Sequence, residues 1–100
     1  MKRARQIPLW PTAKLAGAEV FDGRAVLASR VKGLRSERHL SQATLAERAG
    51  MHRSYLSSIE RARRNVPLDT VCRLAWALGV DVRDLLTATA EEDERRPRRR

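Results

Sequence analysis

Apolar residues recur through the middle of this chain at helical spacing, in short stretches separated by turn residues. Over residues 25–38, Leu27, Val31 and Leu34 fall at i, i+4 and i+7 with Val26 beside them, and Arg30, Lys32, Arg35 and Arg38 lie off that stripe. This predicts a first helix, in which Gly33 costs about 1 kcal/mol of propensity relative to alanine. His39 ends the segment as a surface residue, with no partner ligands at metal spacing. Ser41 precedes the next apolar period and suits an N-cap. The helix it starts, Gln42–Ala49, is expected to bury Leu45, Ala46 and Ala49, Ala46 being small enough for a close helix crossing. Gly50 stands where a left-handed backbone ends a helix, and Met51 is expected to face inward.

A third helix runs from about Arg53 to Arg61, with Leu56 and Ile59 as its apolar face. Arg53, Ser54, Ser57, Ser58 and Arg61 are expected on its other faces. Such a helix is poorly suited to burial and suits a groove lined with donors, acceptors and phosphates. Pro67 opens a fourth helix in its first turn, where Asp69 suits the helix dipole. Val71, Leu74, Ala75 and Leu78 give its core stripe, and Gly79 ends it. Cys72 and Trp76 lie at i, i+4 beside that stripe. Cys72 alone reads as a small buried residue, whereas an exposed Trp76 suggests a protein interface. Asp81 caps a fifth helix, Val82–Thr87, in which Leu85 closes the core and Leu86 lies nearer the surface.

The flanks differ from this middle. Residues 1–23 combine a basic start with two prolines in Ile7-Pro8-Leu9-Trp10-Pro11, and Asp22-Gly23 weakens any long helix there. The segment is expected to be a flexible basic arm. It is either a solvated terminus, an arm reaching DNA through Lys2, Arg3 and Arg5, or a segment docked through Leu9 and Trp10. Residues 88–100 hold EEDE followed by RRPRRR, a charge-block tail that cannot form a core. Between them, residues 24–87 are expected to make one all-α domain.

Charge sharpens the picture. The chain carries a net +9 at pH 7. Residues 25–90 alone hold eleven basic and six acidic side chains, so the excess lies partly inside the domain. A polyanion is the implied partner: nucleic acid first, an anionic membrane or acidic protein second. The single cysteine excludes a disulfide framework and a cysteine-based metal site, which fits a cytoplasmic setting. No apolar run has the length of a membrane span. Paired carboxylates, a nucleophile–histidine set, a phosphate loop and a metal cluster are all missing, so no enzyme activity and no cofactor are expected.

Leu40-Ser41-Gln42-x-x-Leu45-Ala46-x-x-Ala49-Gly50, followed by Tyr55-Leu56-x-x-Ile59-Glu60-Arg61, resembles the Cro/repressor-type, XRE-like helix-turn-helix family. Arg35-Ser36-Glu37-Arg38 before it and Leu74-Ala75-x-Ala77-Leu78-Gly79-Val80 after it extend the match over about residues 25–86. The stretch His52–Glu60 with Arg64-Asn65 is most similar to the small controller proteins of restriction-modification systems, a pattern also found in small phage and chromosomal regulators. The resemblance implies a compact five-helix bundle of the lambda-repressor-like DNA-binding type.

It also implies roles. Ser41 and Gln42 sit over a phosphate at a helix N-terminus. Arg53 and Ser54, with Ser57 or Ser58 a turn later, reach base edges. Arg53 either pairs with a guanine, for about 1–3 kcal/mol of discrimination, or meets a phosphate or solvent. His52 stands where the family has a better cap and is free to contact phosphate. Tyr55 contacts a phosphate or a thymine methyl, or packs at the helix start. Arg61, Arg63, Arg64 and Asn65 follow as a basic loop that is either solvated or, from its position directly after the groove-binding helix, clamps phosphates, the second being favoured. Arg35 and Glu60 form a structural ion pair. Ala62 departs from the family's glycine, which implies strain or a longer helix.

Two function classes fit these features. The first is a sequence-specific transcriptional regulator of double-stranded DNA, a homodimer joined through Cys72, Trp76 and Leu86. The second is a protein-interaction adaptor or antitoxin whose partner is RNA polymerase or a toxin, with DNA binding secondary. An adaptor would carry an apolar face over Arg53–Arg64; a DNA reader would carry a polar, arginine-bearing one.

Overall fold

The computed structural model describes residues 21–88. Five helices succeed one another: α1 (Gly23–Glu37), α2 (Gln42–Ala49), α3 (Arg53–Glu60), α4 (Leu68–Leu78) and α5 (Val82–Leu85). No strand occurs among the described residues, and none of their helices is long and apolar enough to cross a membrane. The arm up to residue 20 and the tail from residue 89 lie outside the described residues.

Every helix supplies the core. Val31 of α1, Leu45 of α2, Leu56 and Ile59 of α3, Leu74 of α4 and Leu85 of α5 are the largest fully buried side chains. Each such burial contributes about 1.5–3 kcal/mol. Ala46 and Ala49 are buried on α2, and Ala75 and Ala77 on α4. These small side chains let α2 and α4 pack closely, and α3 lies across α1 and α2. Met51 and Tyr55 are partly buried against the core.

The helix ends share one device. At the ends of α1, α2, α3 and α4 an N–H two residues past the helical turn returns to a carbonyl five residues earlier: Leu40 to Arg35, Met51 to Ala46, Arg63 to Ser58, and Val80 to Ala75. Each closure needs one left-handed residue. Gly50 (φ 71) and Gly79 (φ 72) take it without strain, whereas His39 (φ 55) and Ala62 (φ 58) carry a Cβ there. Ala62 therefore adopts the turn that the family gives to glycine, and does not lengthen α3.

Three boundaries differ from the sequence reading. Helix α1 begins at Gly23, two residues ahead of residue 25, because the Asp22 carboxylate accepts from the Ala25 N–H and caps it. Pro67 is the N-cap of α4, and Leu68 is its first helical residue. Helix α5 stops at Leu85, short of Thr87, whose Oγ1 donates to the Arg83 carbonyl. At the start of α5 the Asp81 carboxylate accepts from the Arg83 N–H, and Asp84 accepts from the Asp81 N–H. The Arg83 side chain, then its N–H, lowers the Asp81 pKa. That contribution to α5 is present above the ordinary aspartate range and fades as pH falls through the lowered value.

Two substitutions should stabilise the fold for opposite reasons. A Cβ at Gly33 meets nothing within 4 Å, so Gly33→Ala gains helix propensity, about 0.5–1 kcal/mol. Ala62→Gly relieves a left-handed alanine, and a similar gain of about 0.5–1 kcal/mol is expected. Urea denaturation reads both as a higher midpoint at unchanged m. A lower midpoint for Ala62→Gly contradicts the assigned strain.

Candidate nucleic-acid interface

The start of α2 and the end of α3, the ends remote from the turn between them, are tied to α1 by one buried carboxylate. Glu60, at the end of α3, is 4% exposed. Arg35 of α1 donates to it twice, Nε to Oε2 at 2.7 Å and Nη2 to Oε1 at 2.9 Å. Gln42 of α2 donates from Nε2 to Oε1 at 3.0 Å. The third arginine nitrogen, Nη1, donates to the Leu40 carbonyl at 3.0 Å, in the link between α1 and α2. The structure thus brings Arg35 and Glu60 together, and adds Gln42 to them. The hydrogen bonds to Glu60 raise the Arg35 pKa; partial burial opposes this and the Glu60 charge reinforces it. With its pKa raised, the arginine side of the pair weakens only at pH above the ordinary arginine range. Arg73 of α4 adds a contact to the turn, donating to the Gly50 carbonyl at 3.4 Å and to Thr70 Oγ1 at 3.3 Å.

Above this scaffold the outer side of α3 is free. Arg53, Ser54 and Arg61 are exposed, and Ser57 is half-buried between them. Arg53, Ser57 and Arg61 repeat at i, i+4, i+8 and so form one stripe. His52 is exposed and makes no side-chain cap. Arg63 and Arg64 continue the exposed basic surface past the helix. Among the described residues Arg53, Arg61, Arg63 and Arg64 form no ion pair with an acidic side chain. Ser41, at the start of α2, is exposed and caps the helix by accepting from the Thr44 N–H at 3.0 Å. Gln42 is half-buried with one amide hydrogen engaged on Glu60.

Ser58 requires a correction. It is 9% exposed, because it sits on the inner flank of α3 beside Ile59 and away from the Arg53–Arg61 stripe. Its hydroxyl donates to the Tyr55 carbonyl at 2.7 Å, so no donor remains for a base edge. Tyr55 packs partly against the core, and its ring lies 5.5 Å from the Arg64 guanidinium carbon.

A second surface lies on α4. Cys72 is exposed, so the reading of a small buried residue fails: it projects outward because Val71 and Leu74 take the inward positions. Trp76 is 76% exposed and Leu86 40%. Leu68, which sequence reasoning missed, is 68% exposed. Its signal was its spacing, since Leu68, Cys72 and Trp76 fall at i, i+4 and i+8 on one face. No group of three or more His, Cys, Asp or Glu residues among the described residues is placed to hold a metal ion.

The helix-turn-helix domain model matches residues 26–88, most of the chain. The chain belongs to this XRE-like helix-turn-helix family of DNA-binding regulators. It is similar to the control protein C.SmaI of Serratia marcescens, 43% identical over 74 residues that span 74% of this chain and 88% of that one. Among solved structures it resembles the restriction-modification controller protein C.AhdI of Aeromonas hydrophila. That match has a TM-score of 0.61 and 40% identity, covering 62% of this chain and 94% of that one. The biofilm master regulator SinR, solved in complex with DNA, matches with a TM-score of 0.58 and 39% identity, covering 61% of this chain and 98% of that one.

Removing Arg35 leaves the Glu60 carboxylate buried with Gln42 alone. Arg35→Ala should lower unfolding stability by about 3–5 kcal/mol in urea denaturation. A loss near zero would mean that Glu60 is reached by water and that the pair is an ordinary surface contact.

Proposed function

We propose that the protein is a sequence-specific transcriptional regulator that lays α3 in the major groove of an operator made of two half-sites. The observation that carries this reading is the outer side of α3, where Arg53, Ser54, Ser57 and Arg61 stand with no acidic partner among the described residues while the opposite side is tied down through Glu60. Arg53 and Ser54 are the base-reading residues, at the first turn of α3. Arg61 and Arg63 meet the phosphates flanking the groove, and His52 and the N-terminus of α2 at Ser41 meet those on the other side. An adaptor would bury an apolar face there, and this face is polar.

The apolar strip of α4 supports a homodimer. Leu68, Cys72 and Trp76 share one exposed face, and Leu86 is exposed just beyond α5. This reading assigns the strip to a second copy, ahead of RNA polymerase or a toxin. Two copies about a twofold axis present two α3 helices to half-sites about one DNA turn apart.

A binding selection from random duplex DNA should return a two-fold symmetric motif. Arg53→Ala should relax the preference at one position in each half-site, a loss of about 1–3 kcal/mol. Arg61→Ala and Arg63→Ala should each weaken binding across sequences and flatten the log–log salt slope by about 0.9. Binding to no duplex even at low salt would overturn the reading. Trp76→Glu, on an exposed side chain, should leave the fold intact and convert a dimer to a monomer in sedimentation equilibrium. A wild-type chain that stays monomeric at high concentration contradicts the dimer.

A further inference from the structure

Ser58 lies off the outer stripe of α3, yet it touches a residue at the edge of that surface. Its Oγ donates to the Tyr55 carbonyl at 2.7 Å and accepts from Arg64 Nε at 3.1 Å. The Arg64 guanidinium carbon also stands over the Tyr55 ring, 5.5 Å from its centroid. Between Ser58 and Arg64 the chain reverses through the left-handed Ala62, and the Arg63 N–H returns to the Ser58 carbonyl at 3.0 Å. One arginine is therefore restrained at its Nε, on its guanidinium face and through the backbone behind it.

Among the described residues these restraints leave its two terminal nitrogens uncommitted. Arg64 is exposed and forms no ion pair with an acidic residue among the described residues. A guanidinium gripped by its Nε presents Nη1 and Nη2 outward as a fork, the arrangement that matches two phosphate oxygens. Holding the fork in place before contact removes part of the side-chain entropy that an unrestrained arginine loses on binding.

We infer that Ser58 and Tyr55 are positioning residues that hold Arg64 ready as a bidentate clamp for a backbone phosphate beside the recognition helix. This rests on the DNA-binding reading above. Neither positioning residue needs to touch the nucleic acid. The hydroxyl of Ser58 aligns the arginine, and the face of the Tyr55 ring carries it.

The test has one arm without DNA. In the free full-length protein, NMR relaxation of arginine Nε–H groups should find Arg64 more ordered than Arg53 and Arg63, and Ser58→Ala should erase the difference. Arg64 as mobile as Arg53 in the wild type overturns the inference. The second arm is a double-mutant cycle on affinity for the selected duplex. Ser58→Ala should weaken binding about five- to tenfold with thermal stability nearly unchanged, and should weaken it no further in an Arg64→Ala background. Tyr55→Phe, which keeps the ring, should bind nearly as wild type, and Tyr55→Leu should behave like Ser58→Ala. Additive losses for Ser58→Ala and Arg64→Ala overturn the coupling. A chain that binds no duplex overturns the clamp together with the functional reading; an ordered Arg64 Nε–H then identifies the array as structural only.

Discussion

One buried carboxylate ties both helices of the motif, α2 and α3, to α1. Glu60 takes three donated hydrogen bonds, two from α1 through Arg35 and one from α2 through Gln42. An ion pair in this position is a weak source of net stability, because both charges lose hydration on burial. Its geometry is demanding, however, and a misplaced helix would leave the carboxylate unpaired at a cost of about 3–5 kcal/mol. The network therefore selects one crossing of α2 and α3 among those the apolar core would tolerate. Arg35 also holds the Leu40 carbonyl, so the link into α2 is fastened by the same side chain.

With the inner side of α3 committed in this way, its outer side is left for a partner. Leu56 and Ile59 face the core, Glu60 faces the scaffold, and Arg53, Ser54, Ser57 and Arg61 remain. The tight closures after α2 and α3 set the direction in which the chain leaves each helix. Gly50 turns the chain into α3, and Ala62 turns it so that Arg63 and Arg64 extend the basic surface. The strain at Ala62 lies next to this surface. A second copy placed on the α4 strip would double the surface at a fixed spacing.

Much of the fold was legible because apolar spacing reports burial directly. Val31, Leu34, Leu45, Leu56, Leu74 and Leu85 all lie in the core as their periodicity implies. The Arg35–Glu60 pair could be read only through the family resemblance, since no local pattern links residues so far apart in sequence. Ser58 was misplaced because a polar side chain does not reveal its face: Ser57 and Ser58 differ by a rotation of about 100° on the helix, and only one lies near the outer stripe. The buried reading of Cys72 failed in the reverse sense, and Leu68 went unread, because both are apolar residues left outside a core that Val71, Leu74 and Ala75 already fill. Asp22-Gly23 looked like a helix breaker, although an aspartate before a helix is also a cap.

In the proposed complex, α3 and the arginines after it meet duplex DNA while the α4 strip does not. Backbone amide NMR during titration with the selected duplex tests this most directly. Large shifts are expected at Ser41, Gln42, Arg53–Ser57 and Arg61–Arg64, with Leu68, Cys72 and Trp76 little changed. Shifts centred on the α4 strip, with α3 unmoved, would contradict that arrangement.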